Sequence, residues 1–547
     1  TGLPMQSLIC FRPERLVVHE LLLRVSADIF VSDGSRYEDL GVNFRCVVAK
    51  ILADYIEPQM AQIVASYEQM RDQCRKRISD ELSASLFPAP VKVEAGAGGF
   101  SLSGFFRASP KAKSAPQRES IEEKHQRLRG DWESRASSSE DAMDAAILRA
   151  LANISNAIII KHGRIIGEQA LLTSLAAVQV CNHHGSELIG EAITPLILQA
   201  AAAEGYRLLP PQSEPVVINV KGASASGKST MRPLQQLHAE KLGMNWNDFA
   251  LISPDIWRKF LLDYDSLGEA YKYAGTLAGD EIPIIDKKLD RYIGRKAEDG
   301  RISHLLIDRF RFDSFAPGRD SEEGSNLLTR FGHTIYLIFM VTPPEATVER
   351  AWLRGLQVGR YKAVDDLLDH NIEAFRGIPV LFFTWALRKD KTVHYEFLDN
   401  SVPLGETPQT IAFGLNGDMY IVDFKCMIDI TRYTRINIEA IQPEDVYPDS
   451  ASMRAEANTD FLTNCAKKIP GINFVDRKSG LVYARMEAGK MCWVDAAMIN
   501  SMLDNEETRV GFAAIAGDLL NILDSVENQP AVAVPDEVRR HMLGRLG

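Results

Sequence analysis

The stretch Gly222-Ala223-Ser224-Ala225-Ser226-Gly227-Lys228-Ser229-Thr230 completes the spacing G-x-x-x-x-G-K-[ST], the pattern of a loop that wraps nucleotide phosphates. Its two glycines let the backbone turn tightly and bring N–H groups up to an anion that a side chain would hold away. Lys228 adds a point charge for the β- and γ-phosphates, and the Ser229 hydroxyl is a ligand for Mg²⁺. Two carboxylates follow. Asp255, after Leu251-Ile252-Ser253-Pro254, stands where a base would take the proton of an attacking hydroxyl. It equally suits the first turn of a helix, whose dipole favours an acid. His304-Leu305-Leu306-Ile307-Asp308 is a short apolar run closing on an acid, the Walker B shape, which makes Asp308 a candidate metal ligand beside Ser229. Farther along, Arg350 and Arg354 are four apart and share a helix face. Arg360 follows Gly355 and Gly359, where a mobile lid would close and positive charge would stabilise a transferring phosphoryl group. Arg309, Arg311 and Arg319 are further phosphate-facing candidates, against the usual solvated state of loop arginines.

These residues need a scaffold. A β-branched run over 216–220 leads into the glycine-rich loop. Met231, Leu234, Leu237 and His238 then recur at helical spacing, so a helix opening near Lys228 aims its positive end at the same anion. Between 215 and 401, strand-like runs at 216–220, 249–252, 305–307, 334–341 and 393–398 alternate with helical ones. That alternation predicts βα units and a parallel sheet, with ligands at the carboxyl ends of the strands. The fold class is therefore α/β: a P-loop NTPase-type parallel sheet core with a helical N-terminal region and a small α+β C-terminal domain.

A chain of 547 residues is too long for one core. Residues 1–86 read as a helical N-terminal domain, with one helix running from Tyr37 and stopping before Pro58. Residues 87–118 are rich in Pro, Gly, Ala, Ser and Lys, the composition of a flexible linker. Helical signals return over 119–213 and end at Pro210-Pro211; the kinase-like region covers 214–401. Residues 402–547 carry hairpin signals at Asn416-Gly417 and around Arg477-Lys478-Ser479-Gly480, with helices near 495–503 and 510–526. His183-His184 beside Cys181 invites a metal reading, but no second ligand cluster lies near it. Seven scattered cysteines without a C-x-x-C pair predict reduced thiols in a cytosolic setting. A formal net charge of −11 argues against a nucleic-acid partner. No apolar run approaches the roughly 18 residues of a membrane span, and the first residues lack the charged and apolar parts of a signal peptide.

The order of glycine-rich loop, strand-end Asp, Walker-B-like acid and E-R-x-x-x-R-G-x-x-x-G-R over 349–360 resembles the zeta-toxin family of small-molecule kinases across about 214–401. Leu398-Asp399-Asn400-Ser401 is similar to the family's last strand near the adenine, which adds Asn400 to the ATP-binding set. The resemblance implies that Lys228 binds ATP phosphates, that Asp255 is the base, and that Arg350 with Arg354 or Arg360 clamps the phosphates. Asp308 stands where many members carry Glu. Members phosphorylate the amino sugar of UDP-N-acetylglucosamine, and relatives among plant-pathogen effectors resemble kinases acting on a ribose hydroxyl of NAD. Both acceptors are nucleotide-type small molecules. Zeta toxins are held in check by a helical antitoxin at the ATP site; here a separate antitoxin, or the chain's own helices within 15–86 or 120–210, would play that part, unless those helices only pack structurally. The expected function is an ATP- and Mg²⁺-dependent kinase, cytoplasmic or delivered as an effector. The alternatives are an NTPase with water as acceptor, or a nucleotide-binding regulatory protein without one.

Overall fold

The structure, a computed structural model, describes residues 1–34, 38–88, 119–273, 277–308, 328–358, 362–403, 405–517 and 526–547. The linker predicted over 87–118 thus lies almost wholly outside the described residues, as does Arg360. The chain divides into two compact units, Thr1–Leu21 with Lys50–Ala200 and Leu22–Ala49 with Ala201–Gly547.

The first unit is helical. Helices α1 (Pro13–Asp28) and α2 (Asp39–Ile51) run past its boundaries; α3 (Met60–Ser85), α4 (Ile121–Ser138), α5 (Ala142–His162), α6 (Gln169–Val180) and most of α7 (Ser186–Glu204) complete it. Pro58 does not stop the chain's helical course. It sits in a 3₁₀ turn, Glu57–Gln59, between a π turn and α3, and a proline in the first turn of a new helix gives up no bond. Ser120 and Glu123 cap α4 reciprocally, and α5 runs from an Asp141 cap to Gly163 at φ 76°. Glu81 of α3 accepts from Trp132 Nε1 of α4 at 2.7 Å, and Arg77 of α3 pairs with Asp144 of α5 at 2.7 Å. Helices expected in two separate regions therefore share one core. Contrary to the sequence reading, α5 is long and apolar enough to cross a membrane, with a mean hydropathy of 1.4 over its best window. Burial of its Leu148, Leu151, Ile154 and Ile158 accounts for that composition.

The second unit is built on a sheet. Strands β1 (Val216–Gly222), β2 (Phe249–Ile252), β3 (His304–Ile307), β4 (Thr334–Val341) and β5 (Thr392–Asp399) lie parallel in the order β2-β3-β1-β4-β5. All five are almost continuously buried, as strands covered on both faces must be. Helix α8 (Arg232–Lys241) follows β1, α9 (Glu281–Glu298) precedes β3, and α10 (Pro344–Val358) and α11 (Val364–Ala386) join β4 to β5. Residues 22–49 belong to this unit: Trp257 Nε1 donates to Ser26 Oγ at 3.0 Å, and Lys296 Nζ of α9 reaches Asp28 at 2.5 Å.

Residues 402–547, read from the sequence as a small α+β domain of their own, extend the same sheet. Strand β6 (Gln409–Leu415) pairs antiparallel with β5 and by a hairpin with β7 (Asp418–Ile421). Then come β8 (Gly471–Val475), β9 (Leu481–Glu487), β10 (Lys490–Val494) and β11 (Glu527–Asn528), with β12 (Val532–Ala533) on β9. Both hairpins read from the sequence are present; Asn416 takes φ 46° in the first. Without β6, the apolar strand β5 would leave an open edge of unpaired N–H and C=O groups.

Candidate active site

The connection after β1 leads toward β2 on one side of the sheet, and the connection after β4 leads toward β5 on the other. Between β1 and β4 the strand order therefore reverses, and a crevice opens beyond their carboxyl ends. The glycine-rich loop lies there. Ala225 at φ 62° and Gly227 at φ 97° hold it in a left-handed turn that costs a non-glycine residue energy. A Cβ on Gly227 would lie 2.2 Å from Asn400 Nδ2, and one on Gly222 would lie 2.7 Å from Met340 Cβ. The loop is fastened from behind through one atom, the Ser226 carbonyl, which accepts from Asn400 Nδ2 at 2.8 Å, Thr342 Oγ1 at 3.2 Å and Arg350 Nη1 at 3.4 Å. Thr230 Oγ1 closes it from the other end on the Gly227 carbonyl at 2.8 Å. The Ser226 hydroxyl is buried and finds no hydrogen-bond partner among the described residues.

Lys228 curls back over the loop, donating to the carbonyls of Gly222 at 2.9 Å and Ala223 at 2.8 Å. Burial holds its ammonium below the usual lysine range, with Asp308 and Asp255 pulling it up and Arg354 adding to the depression. These four side chains, from four elements, thus share one electrostatic environment. Ser229 Oγ donates to Asp308 Oδ2 at 2.8 Å. Asp308 directly follows β3, its N–H continuing the ladder onto the Ile252 carbonyl at 2.9 Å. A hydroxyl and a carboxylate side by side form a hard-oxygen pair, suited to a magnesium ion that keeps several of its waters. Arg232 reaches the same Asp308 oxygen at 3.4 Å, both side chains about a tenth exposed. Among the described residues no group of three or more His, Cys, Asp or Glu side chains is placed to hold a metal; His183 and His184 lie in a π turn between α6 and α7.

Asp255 follows β2 in the short turn Pro254–Ile256. Its carboxylate accepts from Arg258 Nη2 at 3.0 Å and is more than half exposed, while Trp257 beneath it is fully buried. Arg350 takes a different direction from the one read for a clamp. Its guanidinium donates to the carbonyls of Ser226, Asn400 and Val402, bracing α10 against the loop and the end of β5. Burial holds it below the usual arginine range, with Asp399 and Glu349 opposing. Arg354, one turn later, adds its charge to the forces that lower Lys228. Arg309, Arg311, Arg319 and Arg360 lie outside the described residues.

Three participants carry no sequence motif. Arg232 is one. The others are Lys362 and His370, whose side chains meet in a hydrogen bond between Lys362 Nζ and His370 Nδ1. Burial pushes Lys362 down to about 8, with Asp366 and Asp255 opposing and Arg354 and Lys228 adding. His370 is pushed down to about 4 by burial, then by Lys362 and Lys228, with Asp255 opposing. The seat of α11 explains their position: buried Asn371 donates to Thr347 Oγ1 of α10 at 2.9 Å, locking the two helices together beside His370. A lysine and a histidine eight residues apart show no pattern until the start of α11 at Val364 is known. No protein-family model and no curated protein matches the chain.

Proposed function

We propose that the chain is an ATP- and Mg²⁺-dependent kinase of the zeta-toxin type that phosphorylates a hydroxyl of a nucleotide-type small molecule. The observation that carries this reading is the loop after β1. Its shape is imposed by three donors on the Ser226 carbonyl, its own hydroxyl at Ser226 is left over, and its Ser229 touches the acid at the end of the neighbouring strand β3. A P-loop core needs such a pre-shaped anion cradle beside a metal-binding acid.

In this reading the backbone of residues 222–230 holds the ATP phosphates, with Asn400 behind the loop. Lys228 exchanges the carbonyls of Gly222 and Ala223 for phosphate oxygens. Mg²⁺, when bound at Ser229 and Asp308, supplies positive charge to the β- and γ-phosphate oxygens. Asp255, oriented by Arg258, takes the proton from the acceptor hydroxyl as its oxygen attacks the γ-phosphorus and the bond to ADP breaks. Arg354 neutralises charge on the transferring group, and Arg350 keeps the loop in shape rather than touching phosphate. The exposure of Asp255 also suits water as acceptor, so an NTPase is the second reading. For residues 22–49, the contacts of Ser26 and Asp28 within the sheet-bearing unit favour structural packing over restraint in cis. An antitoxin remains a proposed partner. The seven free thiols favour a reducing, cytoplasmic setting.

The test is mass spectrometry of UDP-sugars, NAD, nucleosides and short RNA incubated with Mg-ATP and the full chain, with Lys228→Ala as control. One acceptor gaining a phosphoryl mass only with the wild type is the expected result. ADP without any phosphorylated acceptor favours the NTPase; neither product overturns both enzyme readings.

A further inference from the structure

We infer that Arg232 gates the metal position: its guanidinium is the resident countercharge of Asp308, repels a free divalent cation, and so favours metal entry together with the nucleotide's phosphates over metal entry alone. This rests on the kinase reading and concerns the order in which that same site fills.

Local structure does not explain an arginine at this position. Arg232 opens α8, and a cation in the first turn of a helix meets the positive end of the helix dipole. Its side chain is also only 8% exposed, and a guanidinium is seldom buried that far without an anion. The anion it meets is Asp308, 11% exposed at the end of β3. The contact is a single N–H at 3.4 Å, whereas an arginine built into a permanent ion pair presents a two-pronged fork at shorter range. The oxygen it reaches, Asp308 Oδ2, already accepts from Ser229 Oγ at 2.8 Å. Hydroxyl, carboxylate and guanidinium therefore converge on one atom, and the guanidinium stands beside the position read for the metal.

The consequence follows from counting charge around Asp308. A carboxylate next to a hydroxyl, left alone, would attract any hard divalent cation. Arg232 neutralises that carboxylate, and Lys228 adds a second positive charge from the loop. Asp255, the next acid, is itself held by Arg258 at 3.0 Å. A doubly charged ion approaching the empty crevice is therefore met by an excess of positive charge. The protein offers few ligands in exchange: among the described residues no group of three or more His, Cys, Asp or Glu side chains is placed to hold a metal. An octahedral ion at Ser229 and Asp308 would have to complete its shell with water and phosphate oxygens. Phosphates on residues 222–230 bring both those oxygens and the negative charge that reverses the balance.

The test follows Mn²⁺, a paramagnetic substitute for Mg²⁺, through the loss of its free-ion electron paramagnetic resonance signal on titration with the full chain, first without nucleotide and then with a non-hydrolysable ATP analogue. Without nucleotide, Arg232→Met should bind Mn²⁺ about ten-fold or more tightly than wild type, and Arg232→Lys, which keeps the charge, should match wild type. Adding Asp308→Asn to Arg232→Met should abolish the gain. The analogue should then tighten Mn²⁺ binding by a smaller factor in Arg232→Met than in wild type. Equal Mn²⁺ affinity in nucleotide-free wild type and Arg232→Met overturns the inference. Weaker affinity in the variant overturns it too, by making Arg232 a support that holds Asp308 for the metal, and so does a gain that survives Asp308→Asn. Should Arg232→Met not fold, Arg232→Gln, which keeps a donor toward Asp308 without the charge, carries the same expectations. Failure of wild type to bind the analogue at any metal concentration defeats the kinase reading instead, while the nucleotide-free titrations still decide the part played by Arg232.

Discussion

The parallel half of the sheet, β1 to β5, and the mixed half, β6 to β12, in which antiparallel pairs predominate, handle buried polar groups in different ways. In the mixed half the groups close on one another. Asp429 of α12 (Phe424–Arg432) is almost fully buried and is met by Lys425 at 2.6 Å, by Arg432 and by Tyr433 Oη at 3.2 Å. Arg485 of β9 joins Asn473 of β8 at 2.7 Å and Asp418 of β7. Asp476 takes up the N–H groups of Lys478 and Ser479 in the β8–β9 turn. Among the described residues beyond 402, Asn458 Oδ1 alone is buried without a partner. In the parallel half more of the accounts stay open: among the described residues Ser226 Oγ, Gln235 Nε2, Arg258 Nε and Asn371 Oδ1 are buried and unmatched on elements bordering the crevice, and Asn219 Oδ1, Trp246 Nε1, Trp385 Nε1 and His394 Nδ1 are unmatched elsewhere in that half. A polar group buried without a partner costs about 1–3 kcal/mol. Closed networks serve the fold, whereas the open groups that border the crevice are placed for something that completes them.

The sharpest way to break this comparison is at Asp255. Asp255→Asn keeps the shape of the side chain and its contact toward Arg258 while removing the base. Transfer to an acceptor should fall by about 10²–10⁴-fold, with the melting temperature nearly unchanged because the side chain is exposed. Kinetics that stay within a few-fold of wild type would leave Asp255 as an ordinary turn residue, the reading its place after Ser253-Pro254 also allows.

How much of this was legible beforehand differs between the halves in the same sense. The loop and Asp308 could be read because two glycines, a lysine and a strand closing on an acid are tied to one another by spacing, and the close approaches at Gly222 and Gly227 show why. The parallel strands could be read from their unbroken apolar runs. The continuation of the sheet into β6 could not: β5, buried at nearly every position, looks the same whether its neighbour is another parallel strand or a hairpin. Arg350 could be placed on a helix face with Arg354 but not given a direction, since a guanidinium four residues from another shares a face with it without revealing which carbonyls lie opposite. Lys362 and His370 were invisible because their meeting depends on the packing of α11 on α10.

A smaller effect tests the closed side. Asp429→Ala leaves Arg432 and Lys425 without their carboxylate, and breaking a buried ion-pair network from one side costs about 3–5 kcal/mol. Because Asp429 lies outside the crevice, the melting temperature should drop by several degrees, while the further shift produced by Mg-ATP stays that of wild type. A variant that melts normally, or one that loses the nucleotide shift, would dissolve the distinction between the halves.

The smallest effect is expected where the halves join. Glu396 of β5 is buried against β6, and its carboxylate accepts from Thr410 Oγ1 at 2.6 Å and from the N–H groups of Leu543 at 2.7 Å and Gly544 at 3.0 Å. Burial pushes its pKa up to about 7 from an ordinary 4.5, against the pull of those three bonds. A raised folded-state value means that the folded protein holds this proton more tightly than the unfolded chain. Its contribution is therefore fully present below about pH 4.5 and is lost as pH rises through 7, by up to about 3 kcal/mol. Glu396→Gln cannot ionise, so wild type should lose stability relative to this variant as pH rises between about 5 and 9. The difference between the two melting curves isolates Glu396, because the buried His394 and His238 titrate alike in both. Parallel curves would mean that the three donors hold the carboxylate ionised throughout. The junction would then belong with the closed networks of the mixed half, and the contrast would begin at β5 itself.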